Sequence, residues 1–146
     1  MWLYKGEQIT RIEDLPNYNY LEGFVYMITC KIDGKIYIGK KTLFFSKKTK
    51  ISAREKKETK TRKKSKIVIK ESDWLSYWGS CIELHEDIKK YGEQNFEREI
   101  LELCCSKKYL TYCEVKYQIQ FDVLNRNTYN SNIFGKFFIR DMQNCK

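Results

Sequence analysis

The chain of 146 residues carries 28 Lys and Arg against 19 Asp and Glu, a formal charge of +9, and 42% of its side chains are apolar. That length suits one domain with a modest core, and neither an apolar run long enough to span a membrane nor a secretory leader pattern is found. The charge is local: residues 47–70 hold twelve Lys and Arg and two acids, whereas the rest of the chain balances sixteen bases against seventeen acids. A basic segment on a near-neutral body is the electrostatic pattern of a protein that meets a polyanion. The cysteines (Cys30, Cys81, Cys104, Cys105, Cys113 and Cys145) include no C-x-x-C pair. Reduced thiols in the cytoplasm are therefore expected, rather than a zinc site.

Residues 1–22 read as an irregular lead-in containing Pro16, with an edge strand near Trp2–Tyr4. Gly23–Thr29 and Lys35–Gly39 read as a hairpin about Asp33-Gly34, two residues that tolerate the positive φ of a tight primed turn. A two-residue turn sets Cys30 opposite Tyr37 and Ile28 opposite Gly39. Tyr26, Ile28, Tyr37 and Gly39 then share a face, with the two tyrosines about four residues apart along the strand, lining a surface without touching.

The Lys-rich stretch 47–66 has almost no apolar side chains and reads as a loop or a solvated helix that orders on a partner. Ile67-Val68-Ile69 follows as a short strand. Asp73–Ser80 is an aromatic, turn-rich linker whose Trp74, Tyr77 and Trp78 suit a core or lid better than a base-stacking platform. Ser80 as N-cap and Glu83 as its capping-box partner open a helix with Leu84, Ile88 and Tyr91 on one face, and Gly92 stops it. His85 reads as a surface residue of that helix. Phe96–Cys104 reads as a third strand. A second helix over 107–124 places Leu110, Cys113, Tyr117, Phe121 and Leu124 on one stripe, with Glu114 beside it. The Asn-rich tail ends in a strand near Phe137–Ile139.

These residues resemble the GIY-YIG endonucleases. That pattern is G-I-Y, about ten residues, Y-I-G, a basic residue, and later an amphipathic helix bearing a Glu. Here Phe24-Val25-Tyr26 takes the first place with Gly23 one position early, and Tyr37-Ile38-Gly39-Lys40 is intact. Tyr77-Trp78-Gly79-Ser80 and Tyr91-Gly92-Glu93-Gln94-Asn95-Phe96 look like the family's phage-borne members, so the resemblance covers residues 23–134. It implies an α+β fold with a small mixed or antiparallel three-stranded sheet flanked by helices. Residues 23–146 would form that domain, with 1–22 leading in and 47–70 as a basic insertion.

The resemblance also implies cleavage of DNA phosphodiesters with one divalent metal, Mg²⁺ or in its place Mn²⁺. Tyr37 would be the general base on the attacking water, with Lys40 favouring its phenolate. Tyr26 would hydrogen-bond the water or the phosphate. Glu114 would hold the metal, and Asn130 or Asn132 would support the site from behind. The family's phosphate-clamping Arg, expected about ten residues after the second Tyr, is missing. Lys47 and Lys48 stand there, and Arg54 or Arg62 would have to fold back. Gly39, Lys47, Lys48, Arg62, Lys63 and Lys64 are the expected DNA contacts. A stand-alone phage or mobile-element nuclease in the host cytoplasm is expected, with a homodimer as one source of specificity and no membrane contact. Two other classes compete: a non-catalytic nucleic-acid-binding module on the same fold, favoured by the missing Arg, and an interaction protein whose basic segment binds an acidic partner.

Overall fold

The computed structural model describes residues 1–143, so Cys145 lies outside the described residues. The other five cysteines are free thiols. The elements run β1 (Trp2–Tyr4), β2 (Glu7–Ile9), β3 (Gly23–Cys30), β4 (Ile36–Thr42), β5 (Phe44–Lys50), α1 (Ala53–Thr59), β6 (Ser65–Glu71), α2 (Ile82–Tyr91), β7 (Phe96–Cys104), α3 (Lys107–Gln120), β8 (Asn132–Ile133) and β9 (Phe137–Phe138). No helix among the described residues is long and apolar enough to cross a membrane.

The chain has the expected α+β class, but its main sheet has five strands rather than three, in the order β2-β1-β7-β3-β4. The three anticipated strands form one half. β1 and β2 come from the lead-in: the strand expected at Trp2–Tyr4 is β1, but it lies inside the sheet between β2 and β7 rather than at an edge, and the three residues of β2 are too short to show a period of two. β1 runs parallel to β7 and the other pairs are antiparallel, so the sheet is mixed. Trp2 anchors the added half: its side chain is fully buried, and its indole N–H donates to the Trp74 carbonyl at 2.8 Å.

The near-continuous apolar run of β3 reflects burial on both faces. Phe24, Tyr26 and Ile28 face a layer built on Trp2, Trp74 and Leu84, and Val25 faces Leu110 and Cys113 of α3. The aromatic layer packs edge-to-face, with Phe24 5.1 Å from Trp2 and 5.9 Å from Trp74 between ring centroids.

The β3–β4 hairpin has a longer turn than expected. The Cys30 N–H donates to the Lys35 carbonyl at 2.9 Å, and the Asp33 carboxylate accepts from the Lys35 N–H at 3.0 Å. That side-chain bond replaces a backbone turn bond and moves the register by two. Tyr26 therefore lies opposite Gly39 and Ile28 opposite Tyr37. A shift of two preserves the face but makes the tyrosines diagonal neighbours, their rings 6.2 Å apart, so they touch rather than line a surface.

Residues 44–71 form neither a plain loop nor a single helix. β5 and β6 pair from Phe44 with Glu71 out to Lys50 with Ser65, and α1 sits at the distal end. Not one residue of this arm is buried. α2 also departs from expectation: its N-cap is Cys81, without a side-chain cap bond. Ser80 and Glu83 take partners across the hairpin, Tyr37 and Lys35, in place of the capping box. α3 ends at Gln120, earlier than the stripe suggested, although Leu124 still packs into the core.

Candidate active site along the β4 edge

β4 is an edge strand, and its outward backbone groups would ordinarily invite pairing with another chain. Here side chains and a neighbouring loop satisfy them. The Tyr129 N–H donates to the Ile36 carbonyl at 2.8 Å. The buried Asn130 amide imitates a strand: its Oδ1 accepts from the Ile38 N–H at 2.9 Å and its Nδ2 donates to the Ile38 carbonyl at 2.8 Å. Gln118 Nε2 donates to the same carbonyl at 3.1 Å. Asn130 therefore sits behind the site and fixes the backbone between Tyr37 and Gly39. Asn132 uses its carboxamide oxygen on the Gly135 N–H, 2.9 Å away.

Along this pinned edge opens a cleft of about 610 Å³, lined by Tyr37, Ser80, Glu83, Glu114, Gln118 and Asn130 among others. Tyr37 packs with the aromatic layer on one face of the sheet. Glu114 comes from α3, which covers the other face. Side chains from opposite faces can meet only at a sheet edge, because successive residues of a strand point to opposite sides.

The tyrosine pair is bracketed by two glycines. A Cβ on Gly39 would lie 2.6 Å from Tyr26 Oη, and one on Gly79 (φ +82°) would lie 2.9 Å from Tyr37 Cε1. Glycine is what lets backbone approach both rings this closely. The exposed His85 holds that cover in place, its Nε2 2.8 Å from the Gly79 carbonyl. Tyr26 is only 1% exposed and does not line the cleft, so it backs Tyr37 rather than facing solvent. Burial, with Tyr37 and Tyr77 beside it, pushes the Tyr26 hydroxyl far above the usual phenol range. Burial also raises Tyr37, against which the Ser80 hydroxyl, 3.3 Å away, pulls down. Both are phenols at neutral pH.

Lys40 does not reach Tyr37. Its position on β4 points it to the opposite face, where Nζ donates to Thr111 Oγ1 at 2.7 Å and stands 3.9 Å from Glu114. Burial raises the Glu114 carboxyl above the ordinary carboxylate value, and the Lys40 ammonium and backbone N–H oppose that shift. The ammonium therefore favours the Glu114 carboxylate, against the effect of burial, instead of standing beside Tyr37. Gln118 is a residue of the cleft that sequence patterns did not single out, and Ser80, expected as a helix N-cap, lines it too. Gln118 lies one helical turn beyond Glu114, and this i, i+4 relation was its only sequence signal.

The donor set accommodates a hard cation. Among the described residues no group of three His, Cys, Asp or Glu side chains gathers, so a soft, protein-caged metal is not suited. Of the two carboxylates lining the cleft, Glu83 pairs with Lys35, and Glu114 in an open cleft suits Mg²⁺, which keeps most of its water and binds through one or two carboxylates. Gln118 lines the same cleft, and its Oε1 is buried without a hydrogen-bond partner.

No Arg of the described residues lines the cleft. Arg54 lies on α1 and pairs with Glu58 at 3.0 Å. The seven-pair ribbon below it extends about 20 Å at 3.3 Å per residue. Arg54, Arg62, Lys63 and Lys64 are thus held out at the arm's far end, and Lys47 and Lys48 occupy opposite faces of the ribbon. Gly39 lies beneath the Tyr26 ring. The buried Arg98, which sequence patterns also did not single out, sits between Trp2 and Trp78, 4.6 and 4.2 Å from their rings. It donates to the Leu75 and Tyr77 carbonyls at 3.1 and 2.7 Å, and burial lowers its pKa to about 10. It thereby holds the aromatic segment against the tyrosines without facing the cleft.

Two comparisons with known proteins agree with this geometry. The family model described as "Putative endonuclease segE, GIY-YIG domain" matches residues 2–133, which includes β1 and β2. The "Putative endonuclease segD" of Enterobacteria phage T4 is 30% identical over 112 residues, covering 77% of this chain and 38% of that protein. The chain thus spans well under half the length of that relative. No solved structure matches. From β1 through the β4 edge to the helix that carries Glu114, the chain belongs to the segE-type GIY-YIG endonuclease domain family.

Proposed function

We propose that this chain hydrolyses phosphodiester bonds of DNA in the cleft along β4. The observation that carries the reading is the meeting of Tyr37 and Glu114 from opposite faces of one sheet at its edge. Tyr37 orients the attacking water and takes its proton. The water oxygen bonds to phosphorus, the bond from phosphorus to the leaving sugar oxygen breaks, and that oxygen takes a proton from solvent. Ser80 supports the phenolate through its hydroxyl, and Tyr26 keeps the ring in place. Glu114, with the Lys40 ammonium beside it favouring its carboxylate form, would hold Mg²⁺ or Mn²⁺. Such an ion, when bound, supplies charge stabilisation at the phosphoryl oxygens. The arm adds salt-sensitive affinity for the duplex backbone.

The test is nicking of supercoiled plasmid. Wild type is expected to nick with Mg²⁺ or Mn²⁺ and to stop in EDTA, with Tyr37→Phe and Glu114→Gln slower by about 10²-fold or more. Because Tyr37 must lose a proton from a pKa raised above 10, its phenolate fraction and the rate should climb from pH 7 to 9 without a plateau. Variants as active as wild type would end the catalytic reading. The absence of an Arg in the cleft favours a second reading, a binding module on this fold. Salt-sensitive DNA binding with no cleavage in any divalent metal would establish it.

A further inference from the structure

The charge of the arm accounts for affinity, but not for its two most exposed apolar side chains. Ile67 and Ile69 are 74% and 70% exposed, although they stand in a segment rich in Lys, Ser and Thr. Their cross-strand partners are Lys48 and Ser46, so alternation puts all four on one face of the ribbon. That face offers two branched apolar tips, one hydroxyl and one ammonium in a patch two residue pairs long. Ser46 and Ile69 border a groove with Tyr20, Leu21 and Lys107 at the root of the arm, and Lys48 and Ile67 border one with Glu55 and Thr59 of α1, yet both Ile side chains stay largely exposed between them.

We infer that the β5–β6 ribbon enters the DNA major groove and reads bases with this face, Ile67 and Ile69 lying against thymine methyl groups. Two strands about 4.8 Å apart fit a groove about 12 Å wide, and the thymine C5-methyl is the one apolar feature on the base edges exposed there. Ser46 and Lys48 supply donors for the neighbouring acceptors. Lysines on the other face and at the tip meet phosphates, where they carry no sequence information. A second copy of the chain is a poor occupant, because it would bring two such basic arms together. The inference rests on the reading of this protein as a DNA-acting one and adds base recognition to it. It also fixes a distance. Nine residues separate Tyr37 from Ser46, a span of at most about 32 Å, so the bases read lie within roughly one helical turn of the phosphate cut.

The test uses the Glu114→Gln chain, so that binding is measured whether or not the cleft cuts. Selection from a random duplex pool is expected to enrich thymine at fixed positions. Replacing those thymines by uracil, which removes only the methyl groups, should weaken binding about threefold or more. In the Ile67→Ser/Ile69→Ser protein that uracil effect should vanish while the salt dependence of binding stays unchanged. Equal binding of thymine and uracil duplexes by the arm with both Ile residues present, or binding without any enriched sequence, overturns the inference and leaves the nuclease reading standing. Concentration-dependent dimers abolished by the double substitution also overturn it, in favour of a second copy on the patch. Loss of all salt-sensitive DNA binding removes the DNA reading itself.

Discussion

The body of the molecule and its arm follow opposite physical rules. The body is nearly neutral and buries Trp2, Phe24, Tyr26 and Trp74 in one aromatic layer. The arm carries the excess charge and buries nothing. An isolated two-stranded ribbon is marginal in water, so the arm draws little from its own contacts and depends on its root, where the Ser72 N–H donates to the Leu43 carbonyl at 2.7 Å. The lesson is a division of labour: hydrophobic packing sets the stability and holds the cleft, whereas charge sets what the cleft is brought to.

The largest stability loss is expected inside the aromatic layer. Phe24→Ala removes a fully buried ring that packs on Trp2 and Trp74, and should cost about 3–5 kcal/mol in denaturant unfolding. A loss below 1 kcal/mol would mean that this layer does not carry the fold. A smaller cost, about 1–3 kcal/mol, is expected for Asn130→Ala, which strips the Ile38 N–H of its partner. Cleavage should fall with it, since the strand between Tyr37 and Gly39 loses its brace; an Asn130→Ala protein of full stability would contradict the edge-pinning account. The smallest change belongs to the arm. Replacing residues 45–70 by a short Gly-Ser linker should alter the stability of the body by less than about 1 kcal/mol. The same excision should weaken DNA binding and flatten its salt dependence, by about 0.9 in logarithmic slope for each phosphate that the arm no longer neutralises. An unfolded body after excision would erase the contrast.

What could be read from sequence follows the same division. β3, β4, β7, α2 and α3 carry apolar runs or stripes because they cover a core, and with the turn signal at Asp33-Gly34 these elements were legible. The shared face of Tyr26 and Tyr37 was legible too, since alternation survives a register shift of two. The touching of their rings was not, because a carboxylate at Asp33 lengthened the turn. The cleft was half legible. Tyr37 and Glu114 carry motif signals, and the resemblance pointed to Asn130 or Asn132 without choosing between them, whereas Gln118 acts through the backbone of Ile38, and a hydrogen bond across 80 residues leaves no local pattern. Lys40 was visible as a cation, yet strand alternation sends it to Glu114 and not to Tyr37. The arm misled most: a lysine-rich composition describes solvation well and conformation poorly, and the β-branched run at Ile67–Ile69 was the one hint of a ribbon.

The most direct test of the central claim, that Tyr37 and Glu114 serve one cleft from two faces of the sheet, is a double-mutant cycle on plasmid cleavage at saturating Mg²⁺. Groups that act as a unit lose most of the rate when either is removed. The account predicts that Tyr37→Phe/Glu114→Gln cleaves no more slowly, within about threefold, than the slower of the two single variants. Losses that multiply through to the double variant, or either single variant at the wild-type rate, would contradict it.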